Sequence, residues 1–133
     1  GKFIVNWPEE TLANGRSKNE RTGRRYKMVV RVLKGLRNEM EEKGHASAKL
    51  ISSFQIACLV YNEPDSVFGN DALYDDVKAA VGHIWYSAYD PNRCSNWAEV
   101  DEIKSLFPAD QPDRPKEVAD FFWAVREYAG LKD

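Results

Sequence analysis

Arg24, Lys27, Arg31 and Lys34 stand at successive spacings of three, four and three residues. At 100° per residue they fall within about an 80° sector of a helix. Tyr26, Val29, Val30, Leu33, Leu36 and Met40 fill a separate sector, so one helix would present an apolar side to a core and a cationic side elsewhere. Fixed ammonium and guanidinium groups in a row suit phosphate, because lysine supplies a point charge and arginine a planar fork that meets two oxygens at once. The competing use of such a row is a solvated helix face.

Other chemistry is sparse. His45 and His83 have no partner at ligand or triad spacing and read as surface or structural residues. Cys58 and Cys94 are too few for a disulfide framework and lie at metal-ligand spacing from no His or Cys. They are expected to be reduced thiols in a cytoplasmic protein. Trp7, Trp85, Trp97 and Trp123 are scattered over separate elements and read as packing anchors.

The elements that must position these groups are helical. Residues 9 to 22 are polar and turn-rich, with Asn14-Gly15 and the run Lys18 to Gly23, and read as a loop. A helix follows from about Arg24 to Lys43 and stops at Gly44, with Gly35 inside it expected to permit close packing. Ser52 or Ser53 caps a second helix through about Tyr61, apolar nearly all round and so the most buried element. Asn62 to Asp65 break it, and Asn70 or Asp71 opens a third helix carrying Leu73, Val77, Ala80, Val81, Ile84, Trp85 and Ala88. Asn96 to Glu99 resemble a capping box for a short helix ending near Phe107-Pro108. Pro115 starts a last helix, with Val118, Phe121, Phe122, Val125, Tyr128 and Ala129 on one face and Gly130 at its end.

At the N-terminus, Lys2 to Val5 form a β-like run with no convincing partner downstream, an orphan strand. The expectation is that the chain begins where a larger protein's sheet ends, residues 1–22 being a strand and polar loop that link to a missing domain and 23–133 a helical domain. The fold class expected is all-α, a bundle of about four to five helices. The chain's 133 residues, 43% of them apolar, suffice for one core. A formal net charge of -2 conceals a division, since residues 1–37 hold ten Lys and Arg against three Glu. The positive end of the molecule is its N-terminal third. No apolar run approaches the roughly 20 residues of a membrane span, and no signal-peptide pattern is present.

Asn6-Trp7-Pro8, Asn14-Gly15, Lys18-Asn19, Thr22, Tyr26-Lys27, Val30-Arg31, Leu33-Lys34 and Leu36-Arg37 form a composite. It resembles the region that follows the catalytic palm in bacterial CD-NTases, nucleotidyltransferases related to cyclic GMP-AMP synthase and oligoadenylate synthase. Ser52-Ser53-Phe54, Leu59 to Asn62, Pro64-Asp65 and Phe68 continue the likeness, which extends more weakly through Trp97 and Leu106-Phe107 to Ala119, Phe121 and Phe122. The resemblance implies a helical wall of a nucleotide cleft. Lys27 and Arg31 would reach a donor triphosphate, Ser53 would touch phosphate, and Phe54 would stack on a base where the family has Tyr. Lys18 and Asn19 become candidate loop contacts. A serine at a helix N-terminus suits an anion on physical grounds as well, through its hydroxyl, free backbone N–H groups and the helix dipole.

The palm's chemistry needs a Gly-Ser loop and paired acids for two Mg²⁺ ions, and the chain has neither a Gly-Ser dipeptide nor an Asp-x-Asp. The expectation is therefore a nucleoside-triphosphate-binding half of an enzyme making cyclic or linear oligonucleotides, not catalytic by itself. Mg²⁺ would enter with the NTP in the full-length enzyme and would not be bound by this chain alone. Two alternatives stand beside it: a stand-alone helical module that binds nucleic acid, and a small helical ribonuclease or toxin-like domain.

Overall fold

A computed structural model describes residues 8–131. The described residues fold into six α-helices, α1 (Pro8–Arg21), α2 (Arg25–Glu42), α3 (Ala46–Lys49), α4 (Ser53–Tyr61), α5 (Leu73–Tyr89) and α6 (Arg114–Ala129), with 3-10 turns at Asp65–Phe68 and Pro91–Arg93. The described residues contain no strand, only one isolated bridge between Ala98 and Ser105. The orphan strand expected at Lys2 to Val5 lies outside the described residues, as does Trp7.

The core forms where the apolar faces of α2, α4, α5 and α6 meet. Val29, Leu33 and Met40 of α2, Ile56 and Val60 of α4, Ala80 and Ile84 of α5, and Phe121, Phe122 and Val125 of α6 are fully buried. Each of these faces repeats at helical spacing, which is why the sequence pattern located them. The ends match too: α6 has Pro115 in its first turn and stops at Gly130, which takes φ 67°. Helix α2 stops before Gly44 at φ 87°. An L-residue is strained at either angle. No helix among the described residues is long and apolar enough to cross a membrane.

Four readings of the sequence are corrected. Residues 9 to 22 are not a loop: Pro8–Arg21 is α1, with Glu9 and Glu10 at its positive end and Lys18 and Arg21 at its negative end. Asn96 to Glu99 cap no helix, because residues 97 to 106 form a hairpin-like loop with Glu99 N donating to Lys104 O and Leu106 N to Trp97 O. Asp101 turns that loop by accepting from the N–H groups of Ile103 and Lys104. Helix α5 opens at Leu73 after Ala72, and Asn70 instead donates its side-chain amide to the buried Asp76. Gly35 permits no close approach, since a Cβ built there meets nothing within 4 Å.

Candidate functional site

Helix α2 supplies the floor of a groove of ≈ 500 Å³. Lys27, Arg31 and Lys34 line it from α2, Phe54 and Ala57 from α4, Thr11, Leu12, Gly15 and Arg16 from α1, and Val100 from the hairpin-like loop. Two hydrogen bonds tie α2 to α4 and to the segment just before it. Tyr26 donates its hydroxyl to Ala57 O at 3.1 Å, and Arg37 Nε donates to Ile51 O at 2.6 Å. Burial pushes the Tyr26 phenol upward, which keeps it a neutral donor.

The α2 cations that face the groove are uncommitted. No side-chain nitrogen of Lys27, Arg31 or Lys34 has a hydrogen-bond or ion-pair partner among the described residues. Other basic side chains of the same region are spent on structure: Arg25 pairs with Asp76, Arg37 with Glu41, and Arg21 with Asp65. Unpaired cations around a concavity leave a positive field that an anion can occupy without breaking existing contacts.

Phe54 is 47% exposed, although it sits at the start of the most apolar helix. Its ring therefore faces the groove, which a core residue would not do. Ser53 immediately precedes it as the first residue of α4 and is half-buried, but it does not line the groove. Ser52 is the N-cap, with a complete capping box to Gln55: its hydroxyl accepts from Gln55 N at 3.1 Å and its own N–H donates to Gln55 Oε1 at 2.8 Å. The Ser53 hydroxyl is thus not needed to cap the helix.

Arg24 leaves the row. It precedes α2 in the left-handed region at φ 71° and borders a second depression with Arg16, Asn19, Glu20 and Gly23. Arg16 borders both hollows and joins Lys27, Arg31 and Lys34 on the groove. The sequence reading missed Arg16, Leu12 and Val100. Once α1 is known to be a helix, Thr11, Leu12, Gly15 and Arg16 share one of its faces at i, i+1, i+4 and i+5.

Lys18 and Asn19 sit on α1 rather than in a loop. Lys18 is 3% exposed, and its Nζ donates to Glu63 O at 2.6 Å and Asp65 Oδ1 at 2.8 Å. Asn19 Oδ1 accepts from Lys27 N at 3.1 Å and so helps to start α2. Neither lines the groove.

The segment Tyr61 to Asp65 ties the surroundings together. Tyr61 donates to Glu102, Asn62 clamps Ala98 through both backbone groups, and buried Glu63 meets His83 Nδ1 at 2.8 Å. His83 is therefore structural, as its sequence setting suggests. Burial pushes the Cys58 thiol up to about 12, leaving it an inert core residue. No three His, Cys, Asp or Glu side chains among the described residues are arranged to hold a metal ion.

Residues 13–130 match the cGAS/DncV-like nucleotidyltransferase C-terminal helical domain. The chain belongs to that family. Among relatives of this CD-NTase domain, a cyclic dipyrimidine nucleotide synthase CdnE of Legionella pneumophila is 38% identical over 96% of this chain and 42% of its own length. A cyclic dipyrimidine nucleotide synthase CdnE of Cecembia lonarensis is 33% identical over 80% of this chain and 37% of its own. The solved structure of Elizabethkingia meningoseptica CdnE cyclic dinucleotide synthase with GTP and Apcpp superimposes with a TM-score of 0.86 at 29% identity, covering 98% of this chain and 47% of that one. The CD-NTase domain thus spans less than half the length of these relatives.

Proposed function

We propose that this CD-NTase domain is the triphosphate-gripping wall of a nucleotidyltransferase that joins nucleoside triphosphates into a cyclic or linear oligonucleotide. The observation that carries the reading is the convergence of three unpaired α2 cations, Arg16 of α1 and a half-exposed phenylalanine ring on one groove. Lys27 and Arg31, one turn apart, neutralise the phosphates, with Lys34 and Arg16 extending the cationic surface. Phe54 stacks on a base, an interaction worth about 1 to 3 kcal/mol per base. Ser53, beside Phe54 at the N-terminal end of α4, offers a hydroxyl to phosphate. Lys18 and Asn19 act behind the groove. The solved relative with GTP and Apcpp supports a nucleoside triphosphate as the ligand.

The domain's part is orientation and charge neutralisation, not bond making. Nucleotidyl transfer uses divalent metal, and Mg²⁺ would enter with the nucleotide, held by a palm domain in cis. The groove carries four cations, which hold the polyanion in one register and lower the repulsion that an attacking oxygen meets.

In the full-length protein, the double substitution Lys27→Ala, Arg31→Ala is expected to raise the KM for nucleoside triphosphates by tenfold or more, as loss of two charge-assisted contacts implies. Unchanged KM and kcat in that variant would reject the assignment. Salt-sensitive binding of oligonucleotides with no response to triphosphates would favour a nucleic-acid-binding module instead.

A further inference from the structure

Helix α1 forms one side of the groove, yet no apolar residue among its described side chains is buried. Among its described side chains only Lys18 is buried, and Leu12, its large apolar residue, is 59% exposed. A helix that buries no hydrocarbon face lacks the usual driving force for docking. What holds α1 is a polar stripe that adjoins the groove-lining residues, with Val100, itself a groove residue, as one of its partners. On it, Asn14 Nδ2 donates to Val100 O at 2.8 Å, Lys18 to Glu63 O and Asp65 Oδ1, and Arg21 Nε to Asp65 Oδ2 at 2.8 Å. These residues stand at i, i+4 and i+7 and form a stripe beside the groove-lining Thr11, Leu12, Gly15 and Arg16, with Lys18 one heptad from Thr11.

Lys18 is the centre of that stripe. Its ammonium lies 5.5 Å from the centroid of the Tyr61 ring and 5.4 Å from that of Phe68, besides its two oxygen partners. An ammonium so enclosed is anchored, because its aromatic and oxygen neighbours replace the water it gave up. Arg21 and Lys18 together hold the Asp65 carboxyl below its ordinary range, as paired carboxylates behave.

We propose that Lys18 is a positioning residue for the nucleotide groove, a buried cationic latch that fixes α1, and with it Arg16 and Thr11, as the groove's outer wall. The inference rests on the groove being the nucleotide site, and it assigns Lys18 no contact with the ligand. Releasing the latch lets α1 move away from α2, so Arg16 no longer faces the Lys27 and Arg31 row. Binding then weakens while the core of α2, α4, α5 and α6 stays intact.

The test uses Lys18→Met and Asp65→Ala in the full-length protein, with two readouts. Amide hydrogen exchange should speed up at least tenfold across α1 in both variants and stay unchanged in α2 and α6. The apparent KM for an equimolar mixture of ATP, GTP, CTP and UTP should rise at least fivefold in both, with kcat changed less than threefold, and the double variant should be no worse than the weaker single one. Asp65 cannot bind phosphate. If Lys18 instead touched the ligand, Asp65→Ala would free its ammonium and leave KM equal or lower, which overturns the proposal. Unchanged α1 exchange in Lys18→Met overturns it as well. Failure of the groove reading itself shows separately, as indifference of KM to Lys27→Ala, Arg31→Ala.

Discussion

Phe54 and Glu63 stand at opposite ends of α4, the first proposed to serve the ligand and the second serving the fold. Phe54 is the second residue of α4 and faces outward, so its removal costs the core little. Phe54→Ala is expected to weaken triphosphate binding by about 1 to 3 kcal/mol, whereas Phe54→Tyr keeps the ring and the affinity; calorimetric titration distinguishes them, and equal affinity of all three would remove the stacking role. Glu63, just beyond the other end of α4, faces inward against His83, and burial pushes its carboxyl up to about 7, with the His83 hydrogen bond opposing. A carboxyl raised from its ordinary 4.5 holds its proton more tightly in the folded state. Its contribution to stability is therefore full below about 4.5 and is lost as pH rises through about 7, at no more than about 1.4 kcal/mol per pH unit for one proton. Melting curves of the wild type and Glu63→Gln should diverge across that window, the variant losing less on the way up. Parallel pH profiles would contradict the buried-acid account.

At the scale of elements, legibility followed the source of each element's stability. Helices α2, α4, α5 and α6 bury apolar faces, and a face that repeats every three to four residues is visible in the sequence. Helix α1 reads as a loop in the sequence because its docking residues are Asn14, Lys18 and Arg21, polar residues indistinguishable in type from a solvated turn. Its one sequence signal was the placement of Glu9 and Glu10 before Lys18 and Arg21, complementing the helix dipole. The segment from Trp97 to Leu106 failed for a related reason: Asp101 satisfies backbone N–H groups within a turn, as a cap residue does at a helix start. Gly35 resembles a packing glycine in the sequence, but open space surrounds its Cβ position inside a regular helix. Gly35→Ala should consequently stabilise the domain by about 0.5 to 1 kcal/mol in denaturant melts. A loss of stability would mean that α2 has a close neighbour at that position in the folded protein.

For the molecule as a whole, the division of charge along the sequence becomes a division of space. The basic N-terminal third builds α1 and the exposed side of α2, which face each other across the groove, while the acidic remainder supplies the other core helices, α4, α5 and α6, and acidic partners such as Asp65. Lys27, Arg31 and Phe54 could be named from the sequence together with its resemblance to a family, because helical spacing placed the cations and the motif placed the ring. Arg16 and Val100 could not, since they reach the groove only through the docking of α1 and the turn at Asp101. The central proposal is that this groove holds a nucleoside triphosphate, and the unpaired cations that line it are what motivates it. Backbone amide chemical shifts of the ¹⁵N-labelled chain, followed while ATP and MgCl₂ are added to millimolar concentration, test that claim most directly, because they locate even a weak ligand. The account predicts saturable shifts confined to residues 11–16, 27–34 and 53–57, abolished by Lys27→Ala, Arg31→Ala. Saturable shifts centred on α5 and α6, or none in those segments at any concentration, would contradict it.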